Sequence, residues 1–302
     1  MPYTDNHCAD FRSGFVAIAG APNSGKSTLL NRMLGQKISI TSKKPQTTRN
    51  RILGVLHRPF AQLIFLDTPG IHKAKIPLNI RIVEAALSAL GDVDIVLLVV
   101  DAANPDSESE KFLVQTLKKQ HLPVILALNK IDLVEKTALL VMIDQWTTAY
   151  AFKAVIPISA EHGTQVEALI REMASLLPPG PPLFPEETLT DMPERFIVAE
   201  MIREKVFRLT GQEIPYSTAV SIESFAEGKK GALIKIHAVI HVERDSQKGI
   251  IIGKNGIKLK QIGQAARHEI ERMLAAKVFL KLFVRVQKNW SRDTKALKRF
   301  GY

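Results

Sequence analysis

Gly20-Ala21-Pro22-Asn23-Ser24-Gly25-Lys26-Ser27, directly behind the apolar run Phe15 to Ala19, decides how this chain is read. The stretch fits the pattern Gly, four residues, Gly-Lys-Ser/Thr, in which a strand runs into a glycine-containing loop and the loop opens a helix. Glycine lets the backbone curl until successive N–H groups face a phosphate. Lys26 is placed to reach β- and γ-phosphates, and the Ser27 hydroxyl is a hard oxygen donor suited to Mg2+. Asn23, Ser24, Gly25 and Thr28 complete the expected phosphate cradle. The helix beginning near Ser27 adds the positive end of its dipole.

Outward from this loop, short apolar runs alternate with helical patterns. Phe15–Ala19, Ala61–Leu66, Ile95–Val100, Val124–Leu128 and Ala154–Ile158 read as buried strands. Ser27–Leu34, Ile76–Leu90, Ser107–Lys119 and Val166–Leu177 read as helices between them. Such alternation predicts an α/β fold with a mostly parallel sheet and helices on both faces, whose ligands bind at the carboxyl ends of strands. Asp67-Thr68-Pro69-Gly70 closes one strand there. Its carboxylate can join the Mg2+ shell and its Gly70 amide can face a γ-phosphate. Asn129-Lys130-Ile131-Asp132 closes another and selects the base. The Asp132 carboxylate can accept from the N1–H and 2-amino group of guanine together, a pair of donors adenine lacks. Lys130 can lay its alkyl stem over the base, and Ser159-Ala160 offers a backbone N–H near the guanine O6.

These motifs, in this order and at these strand ends, resemble the translation-factor-like class of P-loop GTPases. The resemblance implies GTP and GDP as ligands and a switch threonine that completes Mg2+ coordination; Pro45-Gln46-Thr47-Thr48-Arg49 supplies it, with Thr48 favoured by the pattern and Thr47 second. Lys26, Thr48, Gly70 and Asn23 are then the groups expected around the reacting phosphate. One departure stands out. Where Ras-like enzymes place a water-orienting glutamine, this chain has Ile71, whose side chain neither donates nor accepts. Slow intrinsic turnover is the expectation. Asn23 has two readings, a turn residue or a ligand for K+ that supplies positive charge to the phosphates.

Prolines at 178, 179, 181, 182 and 185 stop both helix and central strand, so the chain is expected to divide there. We read residues 1–178 as the nucleotide domain, 179–193 as a semi-rigid linker and 194–302 as a second domain. In the latter a helix Phe196–Leu209 precedes strands Thr218–Phe225 and Leu233–Val242. A helical turn from Ser246 leads to the loop Gly253-Lys254-Asn255-Gly256, a helix Ile257–Ala275 and a strand Val278–Val286. In the second strand Ile234, Ile236, Ala238, Ile240 and Val242 share one face; Lys235, His237 and His241 share the other, and the two histidines are expected to be exposed rather than metal ligands. This order resembles a type II KH domain, whose two loop glycines let the backbone approach a nucleic-acid strand closely. Gly253, Lys254, Asn255, Gly256 and Lys258 are the implied RNA-binding residues, with the edge of Ile250–Ile252 flooring the groove.

Charge agrees with that division of labour. The chain of 302 residues carries a formal net charge of +11. The whole surplus lies in residues 244–302, which hold 15 basic and 4 acidic side chains, so a polyanion is the expected partner of that end. With one cysteine, Cys8, no internal disulfide is possible, and a reducing compartment fits. The run Ile95–Val100 is far short of the roughly 20 residues of a membrane helix, and no leader pattern opens the chain.

A GTPase domain with Pro45-Gln46-Thr47-Thr48-Arg49 and Asp67-Thr68-Pro69-Gly70-Ile71-His72, followed by a KH domain, resembles the Era family of bacterial GTPases along essentially the whole chain. The resemblance implies a cytoplasmic monomer that binds the 3′ end of small-subunit ribosomal RNA and assists assembly of the small ribosomal subunit. It also implies peripheral contact with the inner membrane. A different class of function was weighed against it: a ribosome-docked GTPase whose turnover drives a translocation or remodelling step. No second catalytic constellation is visible in the sequence, which favours the RNA-binding switch.

Overall fold

The computed structural model describes residues 11–41, 51–67, 93–211, 214, 218–227, 233–293 and 300. They form two compact units, one holding residues 11–39 and 51–191 and the other residues 40–41 and 192–300. Thr47, Thr48, Gly70, Ile71, Cys8 and the helix expected over Ile76–Leu90 lie outside the described residues.

The first unit is built from β1 (Arg12–Ala19), α1 (Lys26–Leu34), β2 (Ile52–Arg58), β3 (Ala61–Asp67) and β4 (Ile95–Asp101), then α2 (Ser107–Leu117), β5 (Val124–Asn129), α3 (Lys136–Ala149), β6 (Ala154–Pro157) and α4 (Val166–Leu176). Its six strands are ordered β2-β3-β1-β4-β5-β6. All pairs are parallel except β2 with β3. Every residue of β3, β4 and β5 is buried, as strands covered on both faces must be. Leu113 and Leu117 of α2 pack with Leu98, Val100 and Leu126 on one face, while α1 and α4 lie together against the strands elsewhere. At the start of α2 the Asp106 carboxylate accepts from the Ser109 N–H at 3.2 Å and the Glu110 carboxylate accepts from the Asp106 N–H at 3.0 Å. That reciprocal cap satisfies two helix-end donors.

Two elements went unread in the sequence. β2 is broken by Gly54 and ends in His57-Arg58, so its apolar signal is short. Gly54 is required by packing, since a Cβ there would sit 2.7 Å from the Leu34 side chain and 3.1 Å from Ile38. α3 has no fully buried residue and packs only through Leu139, Ile143 and Trp146, a stripe too sparse to stand out.

The proline-rich segment lies extended along the first unit. Ser13 N–H donates to the Pro178 carbonyl and Val55 N–H to the Leu189 carbonyl, at 3.2 and 2.8 Å. Gln62, fully buried, holds it from inside. Its Oε1 accepts from the Leu183 and Phe184 N–H groups at 2.7 and 2.9 Å, and its Nε2 donates to the Phe184 carbonyl at 2.7 Å. The stretch thus covers the edge of β2 that pairing with β3 leaves open.

The second unit contains α5 (Glu194–Leu209), β7 (Ala219–Glu227), β8 (Leu233–Val242), α6 (Asp245–Ile252), α7 (Ile257–Leu274) and β9 (Lys277–Val286). Its sheet is ordered β7-β8-β9, antiparallel then parallel, with a register shift between Ile222 and Ser224. The core face of β8 meets Ile262, Ala266 and Ile270 of α7 and Ile197, Met201 and Ile202 of α5. One expectation fails on the outer face. His241 is buried rather than exposed: its ring stacks 4.6 Å from Phe300 and its Nε2 lies 2.8 Å from the Ser221 hydroxyl. Phe300 also packs edge-on against the buried Trp290, 5.3 Å away, so aromatics from beyond β9 cover that end of the strand.

Candidate nucleotide site and nucleic-acid interface

The parallel registers put the motifs on one rim. Ile18 pairs with Asp67 and Asp101 with Asn129, so the loops after β1, β3, β4 and β5 leave the sheet side by side. The phosphate loop between β1 and α1 is dense. A Cβ on Gly20 would lie 2.3 Å from the Val99 carbonyl oxygen. Gly25 adopts φ 99°, and a Cβ there would meet the Asn129 amide nitrogen at 2.2 Å. Asn23 is exposed and left-handed, with φ 65°. The buried Lys26 ammonium donates to the Gly20 and Ala21 carbonyls at 3.0 and 2.8 Å, across the mouth of its own loop. Burial lowers its pKa to about 8, against the opposing pull of Asp67. Negative phosphates would raise it again.

Asp67 is fully buried and burial pushes its carboxyl up, while Lys26 and two hydroxyls hold it down. Ser27 Oγ and Ser39 Oγ donate to Asp67 Oδ2 at 2.9 and 3.0 Å; among the described residues Oδ1 has no hydrogen-bond partner. A buried carboxylate oxygen without a donor, beside a serine hydroxyl at a phosphate loop, is a donor set that fits Mg2+. The Ser24 hydroxyl, also buried, has no partner either.

The base-side motif is braced from several directions. Asn129 Nδ2 donates to the Ser24 carbonyl at 2.8 Å and its Oδ1 accepts from the Ala160 N–H at 2.9 Å. Asn129 therefore ties the phosphate loop to the Ser159–Ala160 loop. Of the two backbone N–H groups of Ser159-Ala160, one of which is expected at the guanine O6, that of Ala160 makes this tie and that of Ser159 donates to the Thr164 carbonyl at 3.2 Å. Lys130, left-handed with φ 66°, pairs its ammonium with Asp101, which lays its stem along the rim. Asp132 faces solvent from a short 3-10 turn, with His162 Nε2 3.8 Å from its carboxylate.

Four supporting residues were missed in the sequence. Asn31 of α1 holds Ser39 through its carbonyl oxygen and its amide. Arg32 donates to the Ala160 and Glu161 carbonyls and so fixes the third loop. Asp101 was legible: it is a carboxylate directly after a buried apolar strand, the same signal that singled out Asp67. Asn31, Arg32 and Ser39 carry no such signal: Arg32 meets a carbonyl 128 residues on, and Asn31 and Ser39 meet locally with no motif around them to mark the pair.

In the second unit Gly253 has φ 71° and ψ 176°, a conformation essentially reserved for glycine. A Cβ there would also lie 2.6 Å from the Lys258 Cβ. Asn255 and Gly256 are left-handed as well, at φ 52° and 77°. A Cβ on Gly256 would meet nothing within 4 Å, so that side of the loop is open to an incoming chain. Lys254 and Asn255 are exposed, and Lys258 lies in the first turn of α7, near the positive end of its dipole. Ile251 is core, whereas Ile250 and Ile257 stand exposed on either side of the loop.

Residues 15–130 match the 50S ribosome-binding GTPase family and residues 213–291 the KH domain family. GTPase Era of Geotalea uraniireducens is 56% identical over 292 residues, covering 97% of this chain and 98% of that protein. The chain belongs to the Era family of GTPases. Era of Geobacter metallireducens is 56% identical with the same coverage. A crystal structure of an Aquifex aeolicus Era variant bound to GDP and aluminium fluoride is 41% identical, with a TM-score of 0.91 over 97% of this chain and 99% of that one. Another, of Era with MgGDPNP and nucleotides 1506–1542 of 16S ribosomal RNA, is 41% identical with a TM-score of 0.92 and the same coverage. As an Era-family member the chain joins a P-loop domain that hydrolyses GTP, with Mg2+, to a KH domain.

Proposed function

We propose that this chain is a GTP-governed switch whose KH domain binds the 3′ end of small-subunit ribosomal RNA and thereby assists assembly of the small subunit. The observation that carries the reading is the Gly253–Gly256 loop: its open side at Gly256, flanked by Lys254 and Lys258, lies in a chain that is 41% identical to an Era held on 16S ribosomal RNA nucleotides 1506–1542. In the nucleotide domain, Lys26 and the amides of Asn23 to Thr28 hold the phosphates, and Asp132 reads guanine while Lys130 covers the base. Ser27, Asp67 and Thr48 would hold Mg2+, which neutralises charge on the β- and γ-phosphates when bound. Gly70 faces the γ-phosphate and Asn23 supplies a ligand to K+. The protein works as a cytoplasmic monomer, and its basic second unit supports peripheral contact with the anionic inner face of the cell membrane. No described helix is long and apolar enough to cross a membrane.

Crosslinking in cells with GTP-locked and GDP-locked variants, followed by sequencing of bound RNA, tests the reading. Enrichment of the 3′ end of 16S ribosomal RNA in one nucleotide state is expected. Equal recovery in both states, or random RNA, would overturn it.

A further inference from the structure

The outer face of the KH sheet carries a pattern that the loop does not use. Along β9 the side chains pointing away from α7 are Lys277, Phe279, Lys281, Phe283 and Arg285, a strict alternation of cation and ring. Phe279 and Phe283 are 51% and 43% exposed. A single exposed phenylalanine means little. Here two stand about 13 Å apart on one strand, from the strand rise of roughly 3.3 Å per residue, with a lysine between them. Lys281 Nζ lies over the Phe283 ring, 5.0 Å from its centroid, so cation and ring form one surface there. On the neighbouring β8, Lys235 pairs in register with Phe279 and extends the same charged surface. Glu223 lies 3.4 Å from Arg285 and Glu271 acts on Lys277, while Lys235 and Lys281 extend the positive surface between them.

We propose that this face is a second RNA surface, which stacks unpaired bases on Phe279 and Phe283 and takes the intervening phosphates on Lys277, Lys281 and Lys235. The proposal rests on the RNA-binding reading above and extends it beyond the four nucleotides that a loop of this kind clamps. Rings on an open sheet are a sound platform for bases, since every base has a π-face and stacking needs no sequence. Charge selects a polyanion as the occupant, and the flat rings select one with exposed bases over a headgroup surface. A cavity lined by Asp245 and Lys248 of α6, Glu223 of β7 and residues 283–286 of β9 borders Phe283.

Full-length chain is titrated with single-stranded RNAs of about six and about sixteen nucleotides, as parent, Gly256→Asp and the double variant Phe279→Ala/Phe283→Ala. The short RNA, which the loop can hold alone, should bind parent and double variant equally. The long RNA should lose at least about tenfold in affinity for the double variant, given what alanine substitution of a stacking ring costs. Emission of a Phe279→Trp variant should be quenched by the long RNA and not by the short one. Unchanged long-RNA affinity in the double variant, or no quenching, overturns the proposal while loss of binding by Gly256→Asp leaves the loop reading intact. Failure of the parent to bind either RNA overturns both. Quenching by vesicles of anionic phospholipid with none by RNA would assign the face to a membrane and overturn the proposal too.

Discussion

At the scale of single residues, Asp132 is proposed to set the base through two acceptor oxygens. Asp132→Asn replaces one acceptor by a donor, which opposes the guanine N1–H and 2-amino group but suits the C2 carbonyl of xanthine. Preference should pass from GTP to XTP, read by competition binding; undiminished GTP preference would refute the assignment. Asn129 contributes by holding two loops together, through the Ser24 carbonyl and the Ala160 N–H. Asn23 is open to a direct test. If it helps hold K+, hydrolysis should slow when Na+ replaces K+ at matched ionic strength, and Asn23→Ala should erase the difference. Equal rates in the two salts would leave it a turn residue.

Elements carry the next level of the account. The two glycines of the Gly253–Gly256 loop have unlike duties, and the structure separates them. Gly253→Ala meets both a glycine-only conformation and the Lys258 side chain, and should destabilise the second unit by about 2–3 kcal/mol in denaturant titrations. Gly256→Ala only pays for a left-handed backbone, about 1 kcal/mol, and should keep the fold. Equal losses would contradict this division. The proline-rich segment gives a second test: Gln62→Leu leaves two N–H groups and a carbonyl without their partner, and should cost about 2–4 kcal/mol. Faster amide exchange at Leu183 and Phe184 should accompany it, and protection equal to the parent's would show that the segment is held by something else. Prolines told where helix and sheet stop. They could not tell that a polar residue inside β3 fastens the extended chain, because Gln62 is separated from it by more than a hundred residues.

For the whole molecule, the legible part was whatever local chemistry demands. Buried parallel strands write continuous apolar runs, a phosphate loop needs its glycines and lysine, and strand β8 alternates because one face meets α7 and the other does not. His241 was misread because the residues that cover it, Trp290 and Phe300, come from the far end of the chain. Bracing by Arg32 escaped for the same reason, since the Ala160 carbonyl it holds lies 128 residues on. We propose a GTPase domain of this architecture joined to a reader of unpaired RNA. Its most direct test is an equilibrium titration of a 16S 3′-end RNA, single-stranded and fully paired, at one salt concentration, with parent and Gly256→Asp. A KH groove reads splayed bases, so the single strand should bind and the duplex bind poorly, and the carboxylate of Gly256→Asp should repel the phosphates and remove the single-strand affinity. A preference for duplex, which has the higher charge density, or indifference to Gly256→Asp would mean that the second unit is only a basic surface.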